Sequence, residues 1–270
     1  MSADVSGMDP IRAAGLALCC LDLTDLADPG RAEDVAALAA RAVTPHGPVA
    51  ALCVWPRFIA AARAASGDAV PIATVINFPR GDGNRDAILA ELDGALASSA
   101  NEIDLVFDWR AFLSGRRGFA ETLVRAVRAA MPAAMPLKVI LETGELPPDA
   151  VRPVAEAAVA GGATMLKTST GKTAHGASLE AAATLLCVIA EAPRPVGLKI
   201  SGGVRSVRDA GAYLALAEAR MGADFLAPAT FRFGASGLLD AVLATLSGTA
   251  PQDTGPDAGH NPGQNPGKAY

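Results

Sequence analysis

The feature that most constrains the fold is an eightfold alternation of short apolar runs with longer alanine-rich stretches, from about Gly15 to Gly248. The apolar runs have the length of strands, and the alanine-rich stretches carry apolar residues at helical spacing. Eight such units fill about 230 residues, or roughly 29 residues each, which suits a strand, a helix and two loops. Strands that are apolar along their whole length are buried on both faces. The sequence therefore predicts an α/β protein with a (β/α)8, or TIM, barrel.

The predicted elements alternate along the chain. The predicted strands are 16–21, 49–54, 72–76, 102–107, 137–142, 164–169, 196–200 and 224–228. The predicted helices lie near 31–43, 57–65, 84–99, 118–130, 148–160, 178–190, 206–219 and 236–246. Capping signals open several of them: Asp28 with Pro29, Pro147 with Pro148, Ser178 with Glu180, and Ser206. An open doubly wound sheet is the alternative, but its usual glycine-rich loop after the first strand is replaced here by LDLTDLADPG.

The chain of 270 residues has the usual size of one such barrel. Residues 1–10 are polar and are predicted to be disordered. The barrel domain is predicted to span residues 11–247. Residues 248–270 are rich in glycine and proline without apolar periodicity, which predicts a flexible tail that ends in Tyr270.

Composition excludes several classes of protein. A hydrophobic content of 51% is too high for a disordered chain, and a net charge of −5 with no basic run argues against a nucleic-acid partner. Four cysteines and three histidines show no metal-ligand spacing, so no metal site is expected. No apolar stretch approaches the ~18 residues of a membrane span, and Asp4 and Asp9 argue against a signal peptide. We therefore expect a cytoplasmic protein without a membrane or nucleic-acid partner.

Lysine is rare in this chain, with five lysines against eighteen arginines. A guanidinium does not lose its proton at workable pH, whereas an amine can, so the few lysines are candidates for chemistry. The five are Lys138, Lys167, Lys172, Lys199 and Lys268.

Three ionisable residues stand out in the predicted strands, whose carboxyl ends would form the mouth of the barrel: Asp104, Lys167 and Lys199. Two lysines and one aspartate leave one cation in excess, and an amine beside a second ammonium loses its proton more easily. Such an amine is a nucleophile for Schiff-base chemistry. The alternative is a structural Asp–Lys ion pair that ties strands together.

Two glycine-rich segments follow the last predicted strands, SGGVR (201–205) and RFGASG (232–237). Loops in these positions often bind phosphate in barrels, and Gly171 and Lys172 add a third loop. Ordinary turn chemistry is the alternative. Asp22 and Thr24 either line the mouth or cap a turn, and Cys53 is interpreted as core rather than as a nucleophile.

The motifs LDLTDL, CVWPRF, INFPRG, EIDLVF, LKVILETGEL, KTSTGK, LKISGGVR and FRFGAS together resemble deoxyribose-phosphate aldolase in its longer bacterial form. The resemblance extends from about residue 16 to 246. It implies a (β/α)8 barrel and a class I aldolase without a metal or other cofactor. The implied reaction is reversible cleavage of 2-deoxy-D-ribose 5-phosphate to acetaldehyde and D-glyceraldehyde 3-phosphate.

The resemblance also implies roles for individual residues. Lys167 resembles the Schiff-base lysine, Lys199 the lysine that perturbs it, and Asp104 the acid that assists proton transfer. The implied phosphate site comprises Gly171, Lys172, Gly202, Gly203, Val204, Arg205, Gly234 and Ser236. The remaining expected substrate-binding residues are Asp22, Thr24, Cys53 and Thr170. Gly237, Ile200, Ser201 and Leu23 depart from the family pattern, which affects affinity and substrate range rather than reaction type.

The long-form relatives also end in a tyrosine that enters the active site, so Tyr270 is expected to assist proton transfer. A solvated tail is the alternative. Two other functions stay open: a Schiff-base aldolase acting on a different sugar phosphate, and a non-catalytic barrel that binds sugar phosphates. The expected partners are a sugar phosphate and aldehydes, with a homodimer as the candidate assembly.

Overall fold

Eight parallel strands form a closed barrel in the computed structural model, which describes residues 8–249. The barrel strands are β1 (Leu21–Asp25), β4 (Ala51–Val54), β5 (Ile72–Ile76), β6 (Glu102–Val106), β7 (Leu137–Ile140), β8 (Met165–Lys167), β9 (Gly197–Ser201) and β10 (Phe231–Ala235). A small hairpin, β2 (Val43–Thr44) and β3 (Gly47–Pro48), lies outside the barrel sheet. Strand β10 pairs with β1 and closes the barrel, so the predicted (β/α)8 architecture is confirmed.

Helices follow the barrel strands along the chain. They are α1 (Pro10–Cys19), α2 (Ala32–Ala39), α3 (Ile59–Ser66), α4 (Arg85–Ala97), α5 (Trp109–Leu113), α6 (Arg117–Ala130), α7 (Pro148–Gly161), α8 (Leu179–Glu191), α9 (Val207–Met221) and α10 (Leu238–Leu246). Short 3-10 turns occupy Pro56–Phe58, Thr143–Glu145 and Ala223–Phe225. In residues 8–249, no helix combines the length and the apolarity that a membrane crossing needs.

Several helices begin where their capping residues predict. The Ser178 side chain accepts a hydrogen bond from Ala181 N, and Ser206 forms a reciprocal capping box with Asp209. Helix α7 begins with Pro148 at its first position, as predicted. Asp28 is not a cap, because α2 begins only after Arg31.

The first predicted strand, 16–21, is wrong. Those residues lie mostly in α1, because the Asp9 side chain accepts a hydrogen bond from Arg12 N and Pro10 occupies the first helical position. The apolar residues of α1 then pack against α9 and α10. The first strand is Leu21–Asp25, which brings Asp22 and Thr24 into the barrel sheet.

The eighth predicted strand, 224–228, is also wrong. Ala223–Phe225 forms a 3-10 turn, and the strand is Phe231–Ala235. Short apolar runs do not by themselves distinguish strand from helix or turn. The glycine-rich segment 232–237, predicted to be a loop, begins inside the true strand with Arg232. Gly234 is therefore part of a strand rather than of the loop that follows it.

The barrel interior has two chemically different halves. On β4 and β5 the inward positions are small or apolar, with Cys53, Ala73 and Val75 packed together beside Leu26. The other strands place charged side chains in the interior, and these residues are almost completely buried. The second half contains the candidate site.

Candidate active site

Three cations occupy neighbouring strands in one register. Lys199 on β9 pairs laterally with Lys167 on β8 and with Arg232 on β10. Side chains at paired positions of adjacent strands point to the same side of a sheet. All three are buried, with at most 7% of the surface of each residue exposed. Because isolated buried charges are costly, this row requires carboxylates close to it.

The carboxylates come from β1 and β6. Asp104 Oδ2 accepts hydrogen bonds from Lys167 Nζ and from Lys199 Nζ, both at 2.8 Å. Asp22 Oδ2 lies 2.6 Å from Lys199 Nζ, and Asp22 also binds Arg232. Glu102 Oε1 lies 3.1 Å from Arg232 Nη2.

A fourth cation, Lys138 on β7, contacts all three carboxylates. Its Nζ lies 2.5 Å from Glu102 Oε2, 2.9 Å from Asp104 Oδ1 and 3.4 Å from Asp22 Oδ2. Seven charged side chains thus form one connected cluster, which we call the interior charge cluster. Its members are Asp22, Glu102, Asp104, Lys138, Lys167, Lys199 and Arg232.

The cluster gives Lys167 and Lys199 different proton affinities. Burial lowers the pKa of Lys167, the charge of Lys199 lowers it further, and the single carboxylate of Asp104 only partly opposes this. Burial also disfavours the charged form of Lys199, but Asp104 and Asp22 together raise its pKa well above the usual value. Lys167 is therefore the more easily deprotonated amine, and Lys199 remains an ammonium.

The environment of Asp104 favours the charged form of its side chain. Burial would raise the pKa of its carboxyl, yet Lys138, Lys167 and Lys199 together hold that pKa well below the ordinary range. The same balance of burial against Lys199, Lys138 and Arg232 lowers the pKa of Asp22. Both carboxylates are therefore ionised at neutral pH.

Glu142 fixes the turn that follows the Lys167 strand. It adopts a left-handed backbone conformation with φ 55°, directly after β7. Its Oε2 accepts a hydrogen bond from Thr170 Oγ1 at 2.5 Å, and its Oε1 accepts one from Thr170 N at 3.1 Å. Thr170 Oγ1 in turn accepts from Lys172 N at 3.0 Å. Burial raises the pKa of Glu142.

Most of the predicted phosphate residues lie in three turns at the carboxyl ends of β8, β9 and β10, whereas Gly234 lies within β10. Gly171, Gly202 and Gly203 have φ values of 76°, 88° and 97°, a region that favours glycine. Gly203 and Arg205 are exposed, whereas the side chain of Val204 is buried in the core. Lys172 is half-buried, and burial lowers its pKa.

The third of these turns leads into α10. Ser236 is half-buried, and Gly237 precedes the helix without a side-chain cap, so the first N–H groups of α10 are suited to an anion. Gly234 pairs with Ser201, and a Cβ at Gly234 would lie 2.2 Å from Ser201 Oγ. Glycine is therefore required at this strand position.

Two other predicted residues, Thr24 and Cys53, are buried. Thr24 Oγ1 donates to the carbonyl of Asp22 at 2.7 Å. Cys53 is buried with its Sγ 4.0 Å from Asp104 Oδ2, and burial raises its pKa. Tyr270 lies outside the described residues. Within residues 8–249, no three histidine, cysteine or acidic side chains are arranged to hold a metal ion.

The family model of the DeoC/LacD aldolases matches residues 16–243, which is most of the barrel. The chain belongs to the DeoC/LacD aldolase family. The match covers Asp22 and Asp104, both lysines of the cation row and the three turns that are predicted to bind phosphate. The deoxyribose-phosphate aldolase of Agrobacterium fabrum is 47% identical over 245 residues, covering 90% of this chain and 95% of that protein.

Solved structures are similar over the same region. A candidate deoxyribose-phosphate aldolase from Toxoplasma gondii matches with a TM-score of 0.82 and 25% identity, covering 88% of this chain and 97% of that one. A candidate from Coccidioides immitis matches with a TM-score of 0.76 and 27% identity, covering 88% and 87%. The tetrameric deoxyribose phosphate aldolase of Aeropyrum pernix, at 24% identity, shares the fold with a TM-score of 0.71, covering 89% and 94%.

For this aldolase, the sequence alone did not point to two members of the interior charge cluster and gave no role to a third. Glu102 and Arg232 were not singled out, and Lys138 was named only as one of the five lysines, although each of the three lies in a barrel strand. Alternation would have found Glu102, because it lies two residues before Asp104 and so faces the same side. Lys138 is the lateral partner of Asp104. Arg232 was hidden because its strand had been placed at 224–228.

Proposed function

We propose that the chain is a class I aldolase that reversibly cleaves 2-deoxy-D-ribose 5-phosphate to acetaldehyde and D-glyceraldehyde 3-phosphate. One observation carries the proposal. Lys167 is a buried amine of lowered pKa that shares a carboxylate oxygen with an ammonium, Lys199. Such an amine can act as a nucleophile near neutral pH. The 47% identity to a deoxyribose-phosphate aldolase supports the choice of substrate.

The first step forms the imine. The lone pair of Lys167 Nζ adds to the C1 carbonyl carbon of the open-chain sugar, and the carbonyl oxygen takes up protons and leaves as water. Lys199 is proposed to protonate this oxygen because it keeps its proton. Asp104 is proposed to accept the protons lost from Lys167 Nζ because it is ionised. The product is a cationic iminium.

The second step breaks the carbon chain. The C3 hydroxyl loses its proton, the bond between C2 and C3 breaks, and the electron pair of that bond moves toward the iminium. C3 becomes the aldehyde carbon of glyceraldehyde 3-phosphate, and the enamine of acetaldehyde remains on Lys167. Protonation of the enamine carbon and addition of water then release acetaldehyde and the free amine. Asp104 and an ordered water are proposed to carry these protons.

 This cleavage divides the five-carbon sugar into a two-carbon aldehyde and a three-carbon aldehyde.

The three turns give the proposal its phosphate site. Gly171 with Lys172, Gly202 to Arg205, and Gly234 to Ser236 all follow or end strands β8, β9 and β10, which also carry Lys167, Lys199 and Arg232. A phosphate held there would place the other end of a short sugar toward Lys167. The uncapped start of α10 favours an anion at this place. Asp22, Thr24, Cys53 and Thr170 are proposed to line the remainder of the site.

The decisive experiment combines an assay with chemical trapping. The purified protein should release acetaldehyde from 2-deoxy-D-ribose 5-phosphate, and borohydride with acetaldehyde should add a two-carbon adduct at Lys167. An adduct without cleavage of this sugar would indicate a Schiff-base aldolase for a different sugar phosphate. Sugar phosphate binding without any adduct would indicate a non-catalytic barrel.

The remaining sequence predictions are part of the proposal. We propose that the reaction needs no metal or other cofactor, that Tyr270 assists proton transfer at the enamine carbon, and that the chain works as a homodimer in the cytoplasm. The domain limits 11–247 and 248–270 are also retained as proposals. Sedimentation of the full chain at several concentrations would test the assembly.

A further inference from the structure

Arg232 is the member of the interior charge cluster farthest in sequence from Asp22, yet it joins two sides of the barrel. Its guanidinium binds Asp22 on β1 and lies 3.1 Å from Glu102 on β6. Its Nε donates to the carbonyl of Pro228, and only 7% of the residue is exposed. A guanidinium does not release its proton at workable pH, so this charge is permanent.

The charges of the cluster do not cancel. Its members are three carboxylates and four basic groups, so full ionisation would leave one positive charge in excess. A buried excess charge is costly, and the cost is relieved if one amine releases its proton. Arg232 cannot be that group. Within residues 8–249, Lys138 contacts three carboxylates and Lys199 two, whereas Lys167 forms an ion pair with Asp104 alone.

Arg232 is also close enough to act on Lys167 electrostatically. Lys167, Lys199 and Arg232 lie in register on three adjacent strands. Neighbouring strands are ~4.8 Å apart, so the backbones at positions 167 and 232 are separated by about 10 Å. At this distance in a protein interior, one unit charge changes a pKa by about one unit.

We propose that Arg232 is a positioning residue of this aldolase: its permanent charge, acting through Asp22, Glu102 and Lys199, forces the cluster's excess proton off Lys167. The inference rests on the proposed function, since it concerns the nucleophile of that reaction. The negative charge of Glu102 has the opposite effect and favours the protonated form of Lys167. Without Arg232, a fully ionised cluster would be neutral, and Lys167 would release its proton less easily.

Other ionisable groups lie near these residues and are the same in all the variants compared below. Cys53 and Glu142 lie near Lys167, and Cys20 lies near Arg232 and Asp22. The comparison between variants therefore isolates the charge at positions 102 and 232.

The test is the pH dependence of two rates across the neutral range. One is kcat/KM for cleavage of 2-deoxy-D-ribose 5-phosphate, and the other is the rate at which acetaldehyde with cyanoborohydride labels Lys167. Arg232→Met should move the midpoint of both profiles upward by about one pH unit, with about tenfold slower rates below the midpoint. Glu102→Gln should move the midpoint downward.

Two further variants separate charge from shape. Arg232→Lys keeps the positive charge and should keep the midpoint of the unmodified protein. Arg232→Met combined with Glu102→Gln removes one charge of each sign and should return the midpoint toward that of the unmodified protein. A role in folding alone would lower the rates equally at every pH and leave the midpoints in place.

The outcomes are distinguishable from failure of the proposed function. If the unmodified protein forms no adduct at Lys167, the proposed function fails. If the adduct forms but neither Arg232→Met nor Glu102→Gln moves the midpoint, the role of Arg232 is wrong. Should Arg232→Met not fold, Glu102→Gln alone decides, because an unmoved midpoint there would overturn the proposal.

Discussion

Lys167 and Lys199 donate hydrogen bonds to the same atom, Oδ2 of Asp104, each at 2.8 Å. Two ammonium groups cannot share one buried acceptor without repelling each other, and the repulsion is relieved by deprotonation of the less well paired amine. Lys199 has Asp22 as a second carboxylate at 2.6 Å, so Lys167 is the amine that gives up its proton.

Replacement of Lys167 should abolish imine formation. We expect that Lys167→Arg gives no reductively trapped acetaldehyde adduct and no measurable turnover, because a guanidinium is not a nucleophile at workable pH. Peptide mapping by mass spectrometry would locate the adduct in the unmodified protein. Lys172→Met is the matched control, since it changes a lysine in a phosphate turn and should still be labelled by acetaldehyde. Label on Lys199 instead would reverse the assigned roles.

Removal of the Lys199 charge should shift activity to higher pH. The positive charge of Lys199 lowers the pKa of Lys167, so Lys199→Leu removes that effect and raises the pKa. Because the free amine is the reactive form, the rising limb of the pH–rate profile should move upward. Near neutral pH the rate should fall by at least about tenfold. A profile of unchanged height and position would mean that Lys199 is only a structural partner of Asp22 and Asp104.

Exhaustive chelation should leave the activity intact. In the proposed mechanism the substrate is activated as an iminium on Lys167, and no step requires a Lewis acid. The measurement is acetaldehyde release before and after dialysis against EDTA, with the metal content checked by mass spectrometry. Activity that disappears with EDTA and returns with zinc would contradict the class I mechanism.

Substitution of Gly234 should destabilise the barrel. In Gly234→Ala the new Cβ would lie 2.2 Å from Ser201 Oγ and 2.9 Å from Lys199 Cε, which forces these two buried side chains to move. The expected cost is about 1–3 kcal/mol in the free energy of unfolding, measured by urea denaturation. Adding Ser201→Ala removes the closer contact and should recover part of the loss. Gly237→Ala is the control, because its Cβ would meet nothing within 4 Å.

Deletion of Tyr270 should impair turnover but not folding. A phenol can give and take a proton, so its loss should lower kcat at least about tenfold and slow deuterium exchange into acetaldehyde. The thermal midpoint should change little. Tyr270→Phe is the matched variant, because it keeps the aromatic ring and removes the hydroxyl. Unchanged exchange and turnover in both variants would mean that the tail has no part in the chemistry.

Hydrophobic periodicity was sufficient to predict the barrel and the course of its helices. It failed near the beginning and the end of the barrel, at α1 and at β10. The apolar run before Leu21 is helical because Asp9 and Pro10 start a helix there, and the true last strand contains Arg232. The sequence of this strand, FRFGA, contains a glycine as well as an arginine and so lacks a continuous apolar run, and periodicity alone misplaces it.

The candidate site was only partly predictable from the sequence. Asp104, Lys167 and Lys199 were recognisable because each interrupts an apolar strand. The partners of these residues depend on lateral register across the barrel, such as that of Asp104 with Lys138, and a single sequence does not give register. The size of each pKa shift depends on those partners, so it also required the fold.

The separation of the barrel interior into a charged half and a small apolar half has a consequence for redesign. A substitution within the charge cluster changes several ion pairs at once, so its effects should not add to those of a second substitution there. Ala73 and Val75 on β5 lie in the apolar half with Leu26. Substitutions at Ala73 and Val75 that enlarge or reshape this apolar half should alter which aldehydes are accepted while preserving the protonation state of Lys167.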